Sequence, residues 1–297
     1  MTTRQLVFVH GRAQERLDAV ALKAEWVEAW KQGLAKSGLT MPIAEPDVRF
    51  PYYGDTLEQM TGGLSAEEAA RIVVRGDGID DAEQDFVRDY VREIQDAHRI
   101  SDAEVAAAVS PDVRERGVLN WGWVQGVLGV LDRKVPGASS ASVALATTDV
   151  YRYLTRPAMR TAMDAGVRSA FTGGRETVVV AHSLGTVVAY NVLRAKAEAG
   201  EALRVPLFLT LGSPLAVNVV KKQVRPIGHP ACAAAWFNAM DPDDVVALFP
   251  LDGDHFDVDP PIENKTDVDN GTDNQHGISG YLGDPVVARR IHDALIA

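Results

Sequence analysis

Short apolar runs alternate with amphipathic helical stretches in the first part of the chain. Residues 6–9 form a run rich in β-branched side chains, which is typical of a strand buried on both faces of a parallel sheet. From residue 17 to residue 34 apolar positions recur every three or four residues, and Gly38 follows, which predicts a helix. Residues 48–53 predict a second strand, weakened by Pro51. This order of elements predicts a parallel crossover.

The same alternation returns in the second half of the chain. Three further short apolar runs predict strands at residues 177–181, 206–211 and 235–240. Helical periodicity predicts helices at residues 149–171, with a break or kink at Pro157, and at residues 184–199 and 285–296. Strands that alternate with helices predict an α/β protein with a mostly parallel sheet flanked by helices.

Between these two parts, residues 55–148 contain no convincing strand pattern. Capping-box patterns at Ser65–Glu68 and Ser101–Glu104 mark two helix starts. Residues 118–131 are apolar and contain Trp121 and Trp123. The whole segment is therefore predicted to be a helical insertion into the α/β framework.

Composition restricts the function classes. Of the 297 residues 46% are hydrophobic and 24% charged, which excludes a disordered or fibrous chain. The net charge of −11 disfavours nucleic acid as a partner, because phosphate binding requires clustered Lys and Arg. A single cysteine excludes an internal disulfide framework and a multi-cysteine metal site. The start of the chain has no signal-peptide pattern, and the apolar stretch 118–131 is shorter than the about 20 residues of a membrane span, so we expect a cytoplasmic protein.

A serine flanked by small residues lies between the predicted strand 177–181 and the predicted helix 184–199. The pentapeptide has the form small-x-Ser-x-Gly of a nucleophile elbow and reads Ala181-His182-Ser183-Leu184-Gly185. The tight turn from strand to helix requires small residues two positions before and after the serine. The first position more often holds glycine, and Ala181 allows a slightly wider turn. The start of the helix favours negative charge developing near Ser183.

With this elbow, and with the His10-Gly11 pair after the first strand, the chain resembles the α/β-hydrolase fold family, in particular its lipase-like and esterase-like serine hydrolases. The resemblance covers about residues 4–54 and 149–297. It implies a core of residues 1–54 and 149–297, with residues 55–148 as a helical cap or lid. It also implies an oxyanion hole made by the backbone N–H groups of Arg12 and Leu184, and a structural role for His10.

The family order of a catalytic triad is serine, acid and then histidine, so candidates for the other two members follow Ser183. Asp244 is the preferred acid, with Asp241 directly after the predicted strand as the alternative. His276 is the preferred base because it lies in a polar, Gly-rich loop just before the last helix. Two other histidines follow Asp244, namely His255 in an acidic loop and His292 on the last helix. A second serine after a strand, Ser213, precedes Pro214 and is predicted to be a turn residue.

These residues predict hydrolysis of a carboxylic ester, from a small molecule or a lipid, through an acyl-enzyme. No cofactor and no metal ion are expected. An amidase, a peptidase or an acyltransferase with the same triad, and a noncatalytic interaction protein of this fold, remain alternatives. The apolar insertion side chains predict either an acyl pocket or the core of the insertion itself; they are Trp121, Trp123, Val124, Val127, Leu128 and Leu131.

Much of the negative charge is concentrated between the candidate acid and the candidate base. Residues 241–273 contain eleven of the 41 Asp and Glu residues and only one Lys. Their spacing does not match the twelve-residue calcium loop, which favours solvated acidic loops over a calcium site. The segment predicts a local negative field near the active-site rim, which would disfavour anionic substrates.

Overall fold

Six strands form one sheet in the computed structural model, which describes residues 4–11, 19–53, 80–116, 121–135, 140–171 and 174–297. The strands are β1 (Gln5–Val9), β2 (Val48–Arg49), β3 (Thr177–His182), β4 (Phe208–Leu211), β5 (Trp236–Ala239) and β6 (Glu263–Lys265). Their order across the sheet is β2-β1-β3-β4-β5-β6, and every neighbouring pair is parallel. The predicted α/β class is confirmed.

Helices cover both faces of this sheet. They are α1 (Ala19–Ala35), α2 (Asp81–Ala97), α3 (Asp102–Ala108), α4 (Pro111–Arg116), α5 (Trp121–Lys134), α6 (Ser140–Thr155), α7 (Pro157–Ser169), α8 (Leu184–Glu198), α9 (Asn218–Gln223), α10 (Ile278–Gly283) and α11 (Pro285–Ile296). Pro157 begins α7 directly after α6 ends at Thr155, so the predicted break is confirmed. Proline suits this first helical position because its missing N–H would have no partner there.

Alternation along the strands divides the core into two apolar layers. In β1, Leu6 and Phe8 pack towards α1, α10 and α11, whereas Val7 and Val9 pack towards α7, α8 and the helices before them. Successive side chains of a strand point to opposite faces, so one strand supplies both layers. Burial on both faces explains why the central strands are continuous apolar runs.

The direction in which the chain adds strands reverses at β1. From β1 it passes to β2 on one side, and it returns later as β3 on the other side of β1. Connections after β1 and β3 therefore diverge, leaving a crevice at the carboxyl ends of these two strands. Gly11 and Ser183 lie at this crevice.

The part of the predicted insertion that the structure describes is helical. The capping box at the start of α3 is formed: the Ser101 N–H donates to the Glu104 carboxylate at 2.7 Å, and the Glu104 N–H donates to Ser101 Oγ at 3.3 Å. The pattern at Ser65–Glu68 lies outside the described residues. The helices α2 to α5 of the predicted insertion pack against one another. Their apolar side chains continue the layer on one face of the sheet.

Four elements differ from the sequence expectation. The β2 strand ends at Arg49, before Pro51, which has no N–H for the ladder. The strand β6 was not predicted, because its sequence Glu-Asn-Lys carries no apolar signal at the exposed edge of the sheet. The helices α9 and α10 have six residues each and were also not predicted. Within the described ranges, no helix is both long enough and apolar enough to cross a membrane.

Candidate active site

Ser183 occupies the turn between β3 and α8 in a conformation that L-residues rarely adopt. Its φ is 55° and its ψ is −132°. A non-glycine residue in such a region costs about 1–3 kcal/mol, so the surrounding structure must hold it. The Ser183 N–H donates to the Leu211 carbonyl at 3.0 Å, and the Ser183 carbonyl accepts from the N–H and hydroxyl of Thr186. These bonds keep the serine hydroxyl at the mouth of the crevice.

Two glycines allow the end of β1 to approach this turn. A Cβ atom on Gly185 would lie 2.4 Å from the Val9 carbonyl oxygen, and one on Gly11 would lie 2.6 Å from the Ser183 Cβ. Either methyl group would collide with atoms that have little room to move. The small residue after the serine is thus required by close packing of α8 on β1, as the elbow pattern predicts.

Ser183, His276 and Asp244 form a continuous chain of hydrogen bonds. Ser183 Oγ lies 2.9 Å from His276 Nε2, and His276 Nδ1 lies 2.7 Å from Asp244 Oδ2. The three side chains come from the ends of β3 and β5 and from the segment between β6 and α10. The Asp244 side chain is fully buried, and that of His276 is 12% exposed. The structure therefore brings together the three residues that the sequence favours.

The Asp244 carboxylate accepts four hydrogen bonds. One oxygen, Oδ1, accepts from the N–H groups of Val246 and Ala247 at 2.8 and 3.3 Å. The other oxygen, Oδ2, accepts from His276 and from the Tyr281 hydroxyl at 2.6 Å. Burial alone raises the pKa of Asp244, but the charge of His276 and these hydrogen bonds outweigh burial and hold the pKa below its ordinary value. The carboxylate is therefore ionised at neutral pH.

The alternative acid, Asp241, points elsewhere. Its two carboxylate oxygens accept from the N–H groups of Asp243 at 2.7 Å and Asn270 at 2.8 Å. Burial raises its pKa, in spite of these two bonds. Asp241 thus ties the end of β5 to the segment after β6, as an aspartate in a turn commonly does.

The other candidates of the sequence have different partners. Of the two remaining histidines, His255 bonds Asp252 at 2.8 Å and stacks on Phe249, and His292 bonds its neighbour Asp293 on α11. Ser213 Oγ lies 2.8 Å from the Thr186 hydroxyl and accepts from the Leu215 N–H. Ser213 is thus part of a turn, as predicted.

Two buried histidines surround the triad without belonging to it. His10 Nδ1 donates to the Gly11 carbonyl, and its Nε2 accepts from the Tyr53 N–H, so the ring is neutral. Burial lowers the pKa of His10 to about 4. His182 Nε2 donates to the His276 carbonyl at 2.8 Å, and burial followed by the nearby His276 lowers its pKa to about 3. His182 fixes the backbone of the candidate base, a role that the sequence did not reveal.

The oxyanion-hole prediction falls partly within the described residues. Arg12 lies outside them. Leu184 is the first residue of α8, so its N–H has no carbonyl four residues earlier in the helix to bind. The positive end of the helix dipole lies at the same place, beside Ser183.

A cleft of about 190 Å³ opens beside Ser183. Its walls include Leu22 and Trp26 of α1, Ile278 at the start of α10, and the polar side chain of Asn274. The candidate acyl-pocket side chains of α5 lie in the core instead: Trp123, Val124, Val127, Leu128 and Leu131 are buried in one apolar layer, and Trp121 packs against it. The role of the insertion as a lid stays a prediction.

The acidic segment is partly paired. Lys265 bonds Asp267 at 2.7 Å, and Arg290 of α11 bonds Glu263. Across the described ranges, no group of three or more His, Cys, Asp or Glu side chains is arranged to hold a metal ion.

No family model matches the chain, and no curated protein matches it.

Proposed function

We propose that this chain is a serine hydrolase of the α/β-hydrolase fold that cleaves carboxylic esters through an acyl-enzyme. The observation that carries the proposal is the chain of hydrogen bonds from Ser183 through His276 to Asp244, with 2.9 and 2.7 Å between the bonded atoms. A nucleophile within reach of a base that a third group orients is the arrangement that activates serine. The order of the three residues along the chain supports the fold assignment.

The first half of the reaction forms the acyl-enzyme. Ser183 Oγ attacks the ester carbonyl carbon as its proton passes to His276 Nε2, and the carbonyl oxygen becomes an oxyanion. The N–H of Leu184, with that of Arg12 as the second expected donor, stabilises this charge. His276 then gives its proton to the leaving alcohol, whose bond to the acyl carbon breaks. Asp244 stabilises the transient imidazolium and keeps Nδ1 protonated.

The second half returns the enzyme to its initial state. A water molecule takes the place of the alcohol, loses a proton to His276 Nε2 and attacks the acyl carbon. The second tetrahedral intermediate collapses when the bond to Ser183 Oγ breaks and the serine recovers its proton from His276. The products are one carboxylic acid and one alcohol for each water consumed.

An uncharged ester from a small molecule or a lipid suits the described walls of the cleft. Leu22, Trp26 and Ile278 are apolar, and Asn274 is neutral. The depressed pKa values of His10 and His182 keep both rings uncharged at neutral pH. Because Asp244 is buried as an anion close by, a carboxylate or phosphate on the substrate would be repelled.

A fluorophosphonate probe tests the proposed function. We expect the probe to label the folded protein once, at Ser183, because an activated serine attacks phosphorus as it attacks an ester carbonyl. Mass spectrometry of peptides locates the adduct, and heat-unfolded protein is the control, since labelling requires the assembled triad. A folded protein that stays unlabelled would contradict the proposal. Matched nitrophenyl ester and nitroanilide substrates then separate an esterase from an amidase.

A second prediction concerns the size of the group that enters the cleft. Replacing Ile278 by alanine removes part of the cleft wall next to His276 and so widens the cleft. Esters with long acyl chains should then be hydrolysed faster relative to esters with short ones. We expect the ratio of kcat/KM for octanoate to that for acetate nitrophenyl esters to rise about tenfold, as expected when a hydrophobic pocket is altered by a few methylene groups. Ile291→Ala removes the same side chain from the same apolar layer, away from the cleft, and is the matched control. An equal ratio in the two variants would show that Ile278 does not limit acyl length.

A further inference from the structure

The Tyr281 phenol stands at the centre of the candidate triad without belonging to it. Its oxygen lies 2.6 Å from Asp244 Oδ2, the same oxygen that accepts from His276. It also lies 3.1 Å from the backbone nitrogen of Asp241. The side chain is completely buried. Two hydrogen bonds in an enclosed place therefore determine how this hydroxyl is oriented.

The direction of both bonds follows from the donors available. A backbone N–H can only donate, so the phenol oxygen accepts the hydrogen of Asp241. The one phenol hydrogen is then left for the other neighbour, the ionised Asp244 carboxylate, which can only accept. Asp244 Oδ2 consequently accepts two hydrogen bonds, one from His276 and one from Tyr281.

Gly212 provides the space in which these groups meet. It follows β4 with φ +55°, and a Cβ atom there would lie 3.0 Å from the Tyr281 ring, 3.1 Å from Asp244 Oδ2 and 3.1 Å from the His276 ring. A side chain at this position would press on all three groups at once. The site is therefore built around a three-way contact of acid, base and phenol.

We propose that Tyr281 is a positioning residue of the triad, which holds Asp244 Oδ2 in line with His276 and moderates the negative charge that this oxygen presents to the imidazole. The inference rests on the proposed function. A charge-assisted hydrogen bond draws charge from the carboxylate towards the phenol. The imidazolium is then stabilised less than it would be by a carboxylate with no second donor.

Other ionisable groups pack around the Asp244–His276 pair, and each has its own hydrogen-bond partners or a shifted pKa. Next to His276, His182 is neutral because its pKa is lowered to about 3. Next to Asp244 lie Asp241, whose oxygens are taken by backbone N–H groups, and Tyr90 of α2. Burial and the charge of Asp244 raise the pKa of both phenols, Tyr90 and Tyr281, well above its ordinary value. His276 is the proposed proton acceptor of this cluster, and it bonds the same Asp244 oxygen as Tyr281.

Tyr281→Phe tests the inference through the pH profile of kcat/KM. Without the phenol hydrogen, Asp244 presents more negative charge to His276, which favours the protonated imidazole. We expect the acid limb to move to higher pH by about 0.5 to 1 unit, since a neighbouring anion raises the pKa of histidine. A ring-fluorinated tyrosine at position 281 keeps the shape and donates more strongly, so the limb should move to lower pH.

Tyr90→Phe is the matched control for a lost phenol. Tyr90 is also buried and also donates to the acid turn, at 2.8 Å, but to the Val246 carbonyl and not to the carboxylate. A loosened turn would lower the plateau of the profile in both phenylalanine variants, whereas only a change at Tyr281 should move the limb. If Tyr281→Phe does not fold, the fluorinated tyrosine still gives the answer.

The outcomes are distinct. Shifts in opposite directions for the two changes at position 281, with an unmoved limb for Tyr90→Phe, support the inference. An acid limb that stays in place in the position-281 variants overturns it, whatever happens to the plateau. A folded wild-type protein with no reaction towards the ester or the fluorophosphonate overturns the proposed function itself, and is recognised before any variant is made.

Discussion

Alanine in place of Ser183 is expected to lower kcat for ester hydrolysis by about 10⁶-fold, the loss known for such triads, while the folded structure persists. The reason is that the acyl-enzyme can no longer form, and His276 and Asp244 have no attacking oxygen to activate. The hydroxyl that is lost has one described partner, His276, so little stability is lost with it. Steady-state hydrolysis and thermal unfolding, measured on the same preparation, check both parts of the prediction.

The chain offers a matched control in Ser213. This serine also follows a buried strand and bonds Thr186, whose hydroxyl in turn bonds the Ser183 carbonyl. Ser213→Ala should therefore cost stability and leave kcat within a few fold of the wild type. If the two alanine variants lost activity equally, the effect would belong to the packing of the elbow, and Ser183 would not be the nucleophile.

Asparagine in place of Asp244 is expected to lower kcat by about 10⁴-fold, as in the serine protease that serves as the model triad. Asparagine keeps the shape but carries no charge for the imidazolium, and its amide can turn an N–H towards His276 Nδ1. The histidine would then hold its proton on Nε2, the atom that must accept the proton of Ser183. Hydrolysis at a pH well above the acid limb measures this loss without interference from protonation of His276.

Asp241→Asn separates the two candidate acids. Its oxygens accept from Asp243 and Asn270, contacts that an amide oxygen can keep in part. We expect activity of the same order as the wild type, together with a lower melting temperature. The reverse result, with Asp241→Asn inactive and Asp244→Asn active, would mean that the working conformation differs from the one described and would transfer the acid role to Asp241.

Local signals carried much of the fold and the candidate site. The strands β1, β3, β4 and β5 are buried on both faces. Their sequences are therefore mostly apolar, and this apolar pattern predicts the strands. Ser183 was recognisable because the elbow demands glycine or alanine at fixed distances from it. His276 and Asp244 followed from chain order, which the resemblance implied.

Other features had no sequence signal of their own. The edge strand β6 is polar because its side chains are exposed or only partly buried, and backbone pairing with β5 places it in the sheet. Tyr281 was an isolated aromatic in a Gly-rich stretch, and only the tertiary structure brings it to Asp244. The apolar face of α5 predicts burial equally well beneath a lid or in a core, since periodicity does not identify the partner surface.

The positive φ of Ser183 is unfavourable for folding, although the proposed reaction requires the serine side chain at this position. Glycine visits positive φ without the penalty that a side chain imposes, so glycine at this position would relieve the turn. Selection for stability alone, in evolution or in protein design, would therefore favour Ser183→Gly. Serine at this position in related sequences would then be a signature of selection for activity.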